Sequence, residues 1–96
     1  MNAETVYAQV KSDLEAVFTK LTWDVMELAD MVLVGTWPGD EDRMVVISAP
    51  EFSIWPGETS WHVSSFSNEM ADVLWFGATD KWWHVRTLVE HAINGF

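Results

Sequence analysis

The side chains here with reactive chemistry are three histidines, His62, His84 and His91, and fifteen carboxylates; the chain has no cysteine. A histidine can bind metal or act as a general base. His84 and His91 are seven residues apart. On a helix that is two turns, about 10 Å of rise, too far for one metal ion to join them. No His-Glu-x-x-His pattern occurs. Ser64 and Ser65 lie close to His62, but no Gly-x-Ser-x-Gly turn presents either as a nucleophile. Paired carboxyls work as acid and base only where their surroundings split their pKa values. No spacing singles out such a pair. The five glycines are scattered and form no phosphate loop. Without cysteine there is no disulfide framework and no zinc-thiolate site. The expectation is a protein that is not an enzyme, with no cofactor and no metal.

The carboxylates act together as a field. The formal charge is −10, so the chain cannot grip phosphates with clustered cations, and docking on an anionic membrane is disfavoured. At 49% hydrophobic residues it is no disordered acidic tail. Residues 21–72 hold ten acids and one base, Arg43, whereas the flanking segments are close to neutral. Such a segment is either a solvated face that keeps the chain soluble and guards sheet edges, or a field that steers a basic partner. The sequence points to three groups for the second role. They are Asp24, Glu27 and Asp30, the run Asp40, Glu41 and Asp42, and Glu58.

At 96 residues the chain is expected to form a single domain, 1–96. Residues 3–21 place Val6, Val10, Leu14, Val17, Phe18 and Leu21 on one helical face, with Asn2 as N-cap and Glu4 in the first turn. Residues 22–30 are ambiguous between helix and strand. Met26, Glu27, Leu28 and Ala29 are good helix formers, so a short second helix is favoured there, with Asp24, Glu27 and Asp30 on one face. Strands follow at Met31–Trp37, Arg43–Ser48, Phe52–Trp55, Ser60–Phe66 and Asp72–Gly77, separated by turn signals. Residues 79–94 read as a second long helix, capped by Thr79 or Asp80 and ended by Gly95. The fold class is α+β: an N-terminal helix, a short antiparallel sheet of four to five strands, and a C-terminal helix packed on one face.

The tryptophans refine the picture. Trp37-Pro38-Gly39-Asp40 is echoed by Trp55-Pro56-Gly57-Glu58. Pro-Gly is a type II turn signal. Each copy is either a plain turn or a turn that displays a Trp beside a carboxylate. Trp82 and Trp83 are adjacent, so both cannot face the core of one helix. On the fifth strand Val73 and Trp75 oppose Leu74 and Phe76, so both of its faces are apolar. A two-layer domain of this size cannot bury all of these rings. Trp37, Trp55 and Trp83 are therefore candidate anchors, since Trp is enriched at binding hot spots. A homodimer covering Trp83 and one sheet face is the alternative use of that surface.

The expected function is a small acidic protein-binding inhibitor. It would mimic nucleic acid and occupy the basic groove of a DNA- or RNA-processing enzyme. Phage anti-defence proteins, including anti-CRISPR proteins, and inhibitors of uracil-DNA glycosylase share this physical profile, although no motif of theirs occurs here. The alternative is an immunity protein or a secretion-type chaperone that binds a basic partner. The N-terminus lacks a charged and apolar leader pattern, and the longest apolar runs fall far short of a membrane span. The expected location is the cytoplasm, or the host cytoplasm if the chain is phage-encoded.

Overall fold

A computed structural model describes residues 2–28, 30–53 and 57–95. Helix α1 (Ala3–Val17) is followed by strands β1 (Thr22–Glu27), β2 (Met31–Trp37) and β3 (Asp40–Ser48). A 3-10 turn (Pro50–Phe52) leads on towards β4 (Trp61–Ser67) and β5 (Asp72–Thr79). A second 3-10 turn (Trp82–His84) runs directly into helix α2 (Val85–Asn94). The five strands form one antiparallel meander in the order β1-β2-β3-β4-β5. This is the expected α+β class, with both helices on one face of the sheet.

Asn2 caps α1 as expected, its Oδ1 accepting the Glu4 amide at 2.8 Å. The buried stripe of α1 runs through Ala3, Tyr7, Val10 and Leu14, so it is centred one residue round from the valine stripe of the sequence. The helix stops at Val17, which is exposed.

Residues 22–27 are a strand, not the favoured helix. Trp23 pairs with Gly35 and Val25 with Leu33, so alternate residues of β1 face the helices. Burying Trp23 outweighs helix preferences worth tenths of a kcal/mol per residue. Phe52 belongs to the 3-10 turn begun by Pro50 rather than to a strand; residues 54–56 lie outside the described residues. Neither Thr79 nor Asp80 caps α2. Its N-cap position is His84, and the preceding 3-10 turn feeds the helix its first turn.

Two rows of side chains cross all five strands beneath the helices. One is Trp23, Gly35, Val45, Ser65 and Trp75; the next is Val25, Leu33, Ile47, Val63 and Gly77. Tyr7, Val10 and Leu14 of α1 and Val85, Val89 and Ala92 of α2 close over them to make the core. The Tyr7 hydroxyl donates to the Met31 carbonyl at 2.8 Å and accepts the Ala49 amide at 2.9 Å. It thereby ties α1 to the start of β2 and the end of β3.

Candidate functional site

The opposite face of the sheet has three rows of its own. Thr22, Thr36, Met44, Phe66 and Val73 form the first, and Asp24, Val34, Val46, Ser64 and Phe76 the second. Met26 with Val32, and His62 with Ala78, continue the same alternation in the third. Among the described residues no helix lies on this face. Met26, Val73 and Phe76 are nevertheless large and exposed, at 44%, 51% and 58%. Leu28, just past β1, joins Met44, Val46, Ser64, Phe66 and Asn68 around an open groove of about 330 Å³. The rows contain no Lys or Arg.

Val73 reaches this face through a bulge. Ser65 pairs with Trp75 but Phe66 pairs with Val73, so Leu74 is the extra residue. Simple alternation puts Val73 beside Trp75; the bulge moves it next to Phe66 and Phe76. The sequence looked for exposed anchors among the tryptophans. Of these, Trp83 is 53% exposed, edge-on to Trp82 and His84. Trp37 is half-buried against the core with the Arg43 guanidinium 4.8 Å above its ring. Trp55 lies outside the described residues.

The acidic candidates separate into two kinds. Asp24, Glu27 and Glu41 are exposed, as are Glu69 and Asp72, and Asp30 is half-buried beside the β1–β2 turn. Asp40, Asp42 and Glu58 are engaged in local structure. Trp37 pairs with Asp40 across Pro38-Gly39, while Thr36 pairs with Met44, so residues 41–43 bulge out of the ladder. Asp40 Oδ1 accepts the Asp42 amide, and its Oδ2 takes the Arg43 side chain at 2.8 Å. The Arg43 hydrogen bond, then the backbone amide of Asp42, hold the Asp40 carboxyl below its usual range.

The echoed motif behaves in the same way. Glu58 Oε1 accepts the amides of Thr59 and Ser60, and its Oε2 lies 3.5 Å from His62 Nε2. The Ser60 amide leads in lowering the Glu58 pKa, with a smaller contribution from His62. Gly39 and Gly57 both take positive φ, 82° and 76°. In both copies, then, the acid after Pro-Gly caps the backbone that follows and pairs with a basic side chain downstream.

Asp42 joins two turns. Its carboxylate accepts the Ser67 hydroxyl at 2.9 Å and the Glu69 amide at 2.5 Å, and its carbonyl accepts the Asn68 amide. The Asn68 side chain donates to the Glu41 carbonyl. Asp42→Ala is expected to cost about 1–2 kcal/mol, because Ser67 is 2% exposed and would lose its acceptor. Glu41→Gln, one residue away and exposed, is expected to stay within about 0.5 kcal/mol. Urea unfolding of both variants checks this. Equal costs would show that the Asp42 contacts do not hold the turns together.

The histidines do not converge. His62 sits by Glu58 and edge-on to Phe76, His84 by Trp83, and His91 stacks on Trp75. Among the described residues no three His, Asp or Glu side chains are grouped to hold a metal ion. No helix there is long and apolar enough to cross a membrane. No protein-family profile, curated protein or solved structure matches the chain.

Proposed function

We propose that this chain is a small acidic protein-binding module that seats a basic partner protein on its helix-free sheet face. The observation that carries this reading is a largely apolar floor, bordered by carboxylates, whose rows hold no Lys or Arg. Asp24 stands within its second row, Glu58 at its margin beside His62, and Asp30 next to its β1–β2 end. Glu41, Glu69 and Asp72 lie at the end formed by the β2–β3 and β4–β5 turns. An apolar centre within a charged rim is the usual anatomy of a protein interface. A rim of one sign speeds encounter with the opposite sign and excludes like-charged proteins.

The narrower form of the proposal is an inhibitor that fills the basic groove of a nucleic-acid-processing enzyme. Its phosphate substitutes would be the exposed acids Asp24, Glu27, Glu41, Glu69 and Asp72. Asp40, Asp42 and Glu58 would support it indirectly, by shaping the turns.

The test compares affinity capture from a lysate by the native chain and by a Met26→Glu/Phe76→Glu variant. Both positions are exposed, so the variant should unfold within about 1 kcal/mol of the native chain. The native chain should retain a basic protein that salt elutes, and the variant should lose it. Equal retention by both would remove the sheet face from the proposal. For the inhibitor form, the captured enzyme should fail to bind its nucleic acid while the complex persists. Normal uptake of nucleic acid by the complex would eliminate mimicry.

A further inference from the structure

The occupant can be specified further, resting on the reading just given. We infer that the sheet face receives an amphipathic α-helix of the partner, about three to four turns long, with an apolar stripe flanked by Lys and Arg. The strands pair with one another, with only the outer edges of β1 and β5 lacking a strand neighbour, and the floor between them is built of half-buried side chains such as Val46, Met44 and Phe66 beside the buried Val34. An extended segment laid on that floor would bury amides and carbonyls with nothing to pair them. A helix satisfies its own backbone and presents only side chains.

The apolar band runs from Met26 and Leu28 at the β1 edge, through Val46, Met44 and Phe66, to Val73 and Phe76 on β5. Four strand spacings of about 4.8 Å make a band of roughly 19 Å. At about 1.5 Å per residue, a helix of roughly 13 residues covers it. The groove beside Leu28, Met44 and Phe66 provides a depression for one large apolar side chain.

Charge selects against a second copy of this chain. All five cations lie outside the three rows. Lys11 and Arg86 are on the helices, with Arg86 beside Asp13. Arg43 is held by Asp40 over Trp37, Lys81 lies by Asp80, and Lys20 is in the connection from α1 to β1. Two such faces brought together would set carboxylates against carboxylates across an interface, with each chain carrying −10. A helix flanked by Lys and Arg meets the same rim with opposite charge.

The experiment uses the intact chain and four synthetic 14-residue peptides, with amide chemical shifts and peptide anisotropy as readouts. The first peptide has a Leu stripe at i, i+3, i+4, i+7 and i+11 with Lys and Arg flanks. The second scrambles the same residues so that the stripe is lost. The third keeps the stripe with Glu flanks, and the fourth carries the basic residues on an extended Pro-containing backbone. The expected result is binding of the first peptide, as a helix by circular dichroism, with shifts confined to the outer-face rows. Binding should be at least tenfold weaker for each of the other peptides and for the Met26→Glu/Phe76→Glu chain. If the scrambled or extended peptide binds the same face equally well, the helix inference falls and the docking face stands. If the Glu-flanked peptide binds as well as the basic one, the charge selection falls. If the first peptide leaves the outer rows unshifted at 1 mM, on the order of the weakest specific affinities, both the inference and the reading beneath it fail. Dimerisation of the free chain through these rows would overturn the choice of a foreign helix.

Discussion

Gly35→Ala is expected to lower the stability of this protein by about 3 kcal/mol, far more than a glycine-to-alanine change usually costs in a strand. A Cβ at position 35 would stand 2.5–2.8 Å from three atoms of the Trp23 ring. Trp23 is 3% exposed and lies across Gly35 as its cross-strand partner. It cannot move aside without opening the core beneath α1. The alternatives are a strained sheet or a displaced indole, and a displaced ring forfeits burial of about 150–250 Å². Gly77 provides an internal control. Trp75 folds over it just as closely, but Trp75 is only half-buried, on an edge strand, and has room to turn towards solvent. Gly77→Ala should therefore cost about 1 kcal/mol. Urea midpoints with unchanged m-values are the measurement. Equal losses at the two glycines would show that Trp23 can yield as freely as Trp75.

Tyr7→Phe is the second large effect, expected at about 2–3 kcal/mol. The substitution keeps the ring, which stacks on Phe52 and meets Trp61 edge-on, and removes only the hydroxyl. The Ala49 amide, in a residue with no exposure, would be left without its acceptor, and the Met31 carbonyl would lose a donor. A buried group stripped of its partner costs about 1–3 kcal/mol. The same hydroxyl makes stability depend on alkaline pH. Burial, which outweighs the lowering effect of the Ala49 amide, pushes the Tyr7 pKa up from 10.0 to about 12. In the unfolded chain it ionises near 10, so between pH 10 and 12 the folded state holds the extra proton. Its contribution is complete below pH 10 and is lost as pH rises through 12. A shift of that size corresponds to about 2–3 kcal/mol. Tyr7→Phe should remove this slope as well as the hydrogen bonds. A variant that is as stable as the native chain at pH 8 and equally sensitive at pH 11 would assign both effects elsewhere.

Much of the fold was legible because the periodicities were clear. Valines and leucines at helical spacing placed α1, and the Val- and Ile-rich runs placed β2, the main part of β3, and β4. Strand β1 is ambiguous in the sequence, with helix favoured, for a definite reason. Its alternation of Trp23 and Val25 with Asp24 and Met26 is only four residues long and is followed at once by strong helix formers. What settles it is the fit of one indole over Gly35, a contact between distant positions that local propensity does not register. The bulge at Leu74 was also hidden, since it exchanges the faces of Val73 without changing composition.

The site was less legible than the fold. Charge places ten of the fifteen acids within residues 21–72, but it does not separate carboxylates that serve the turns from those that face solvent. Asp40 and Asp42 resemble Glu41 in sequence, yet only their hydrogen bonds reveal their work. Of the tryptophans expected to be exposed, Trp83 is so at 53% and Trp37 is half-buried, while exposure also falls on Met26, Val73 and Phe76, which the sequence did not single out. The usable signal is the apolar character of both faces of the fifth strand, one of which has no helix over it among the described residues.

The strand order also has a bearing on how quickly the chain finds its fold. Each strand of the meander pairs with its immediate neighbour in sequence, and three of the four ladders close connections of two to four residues, so little entropy is spent before their contacts form. The Tyr7 hydrogen bonds join α1 to β2 and β3, all within residues 3–49. The first half of the protein can therefore assemble its own framework while β4 and β5 are still being made. Rapid hairpin-by-hairpin closure shortens the time for which apolar strands stand unpaired, a useful property in a chain that still exposes Met26, Val73 and Phe76 when folded.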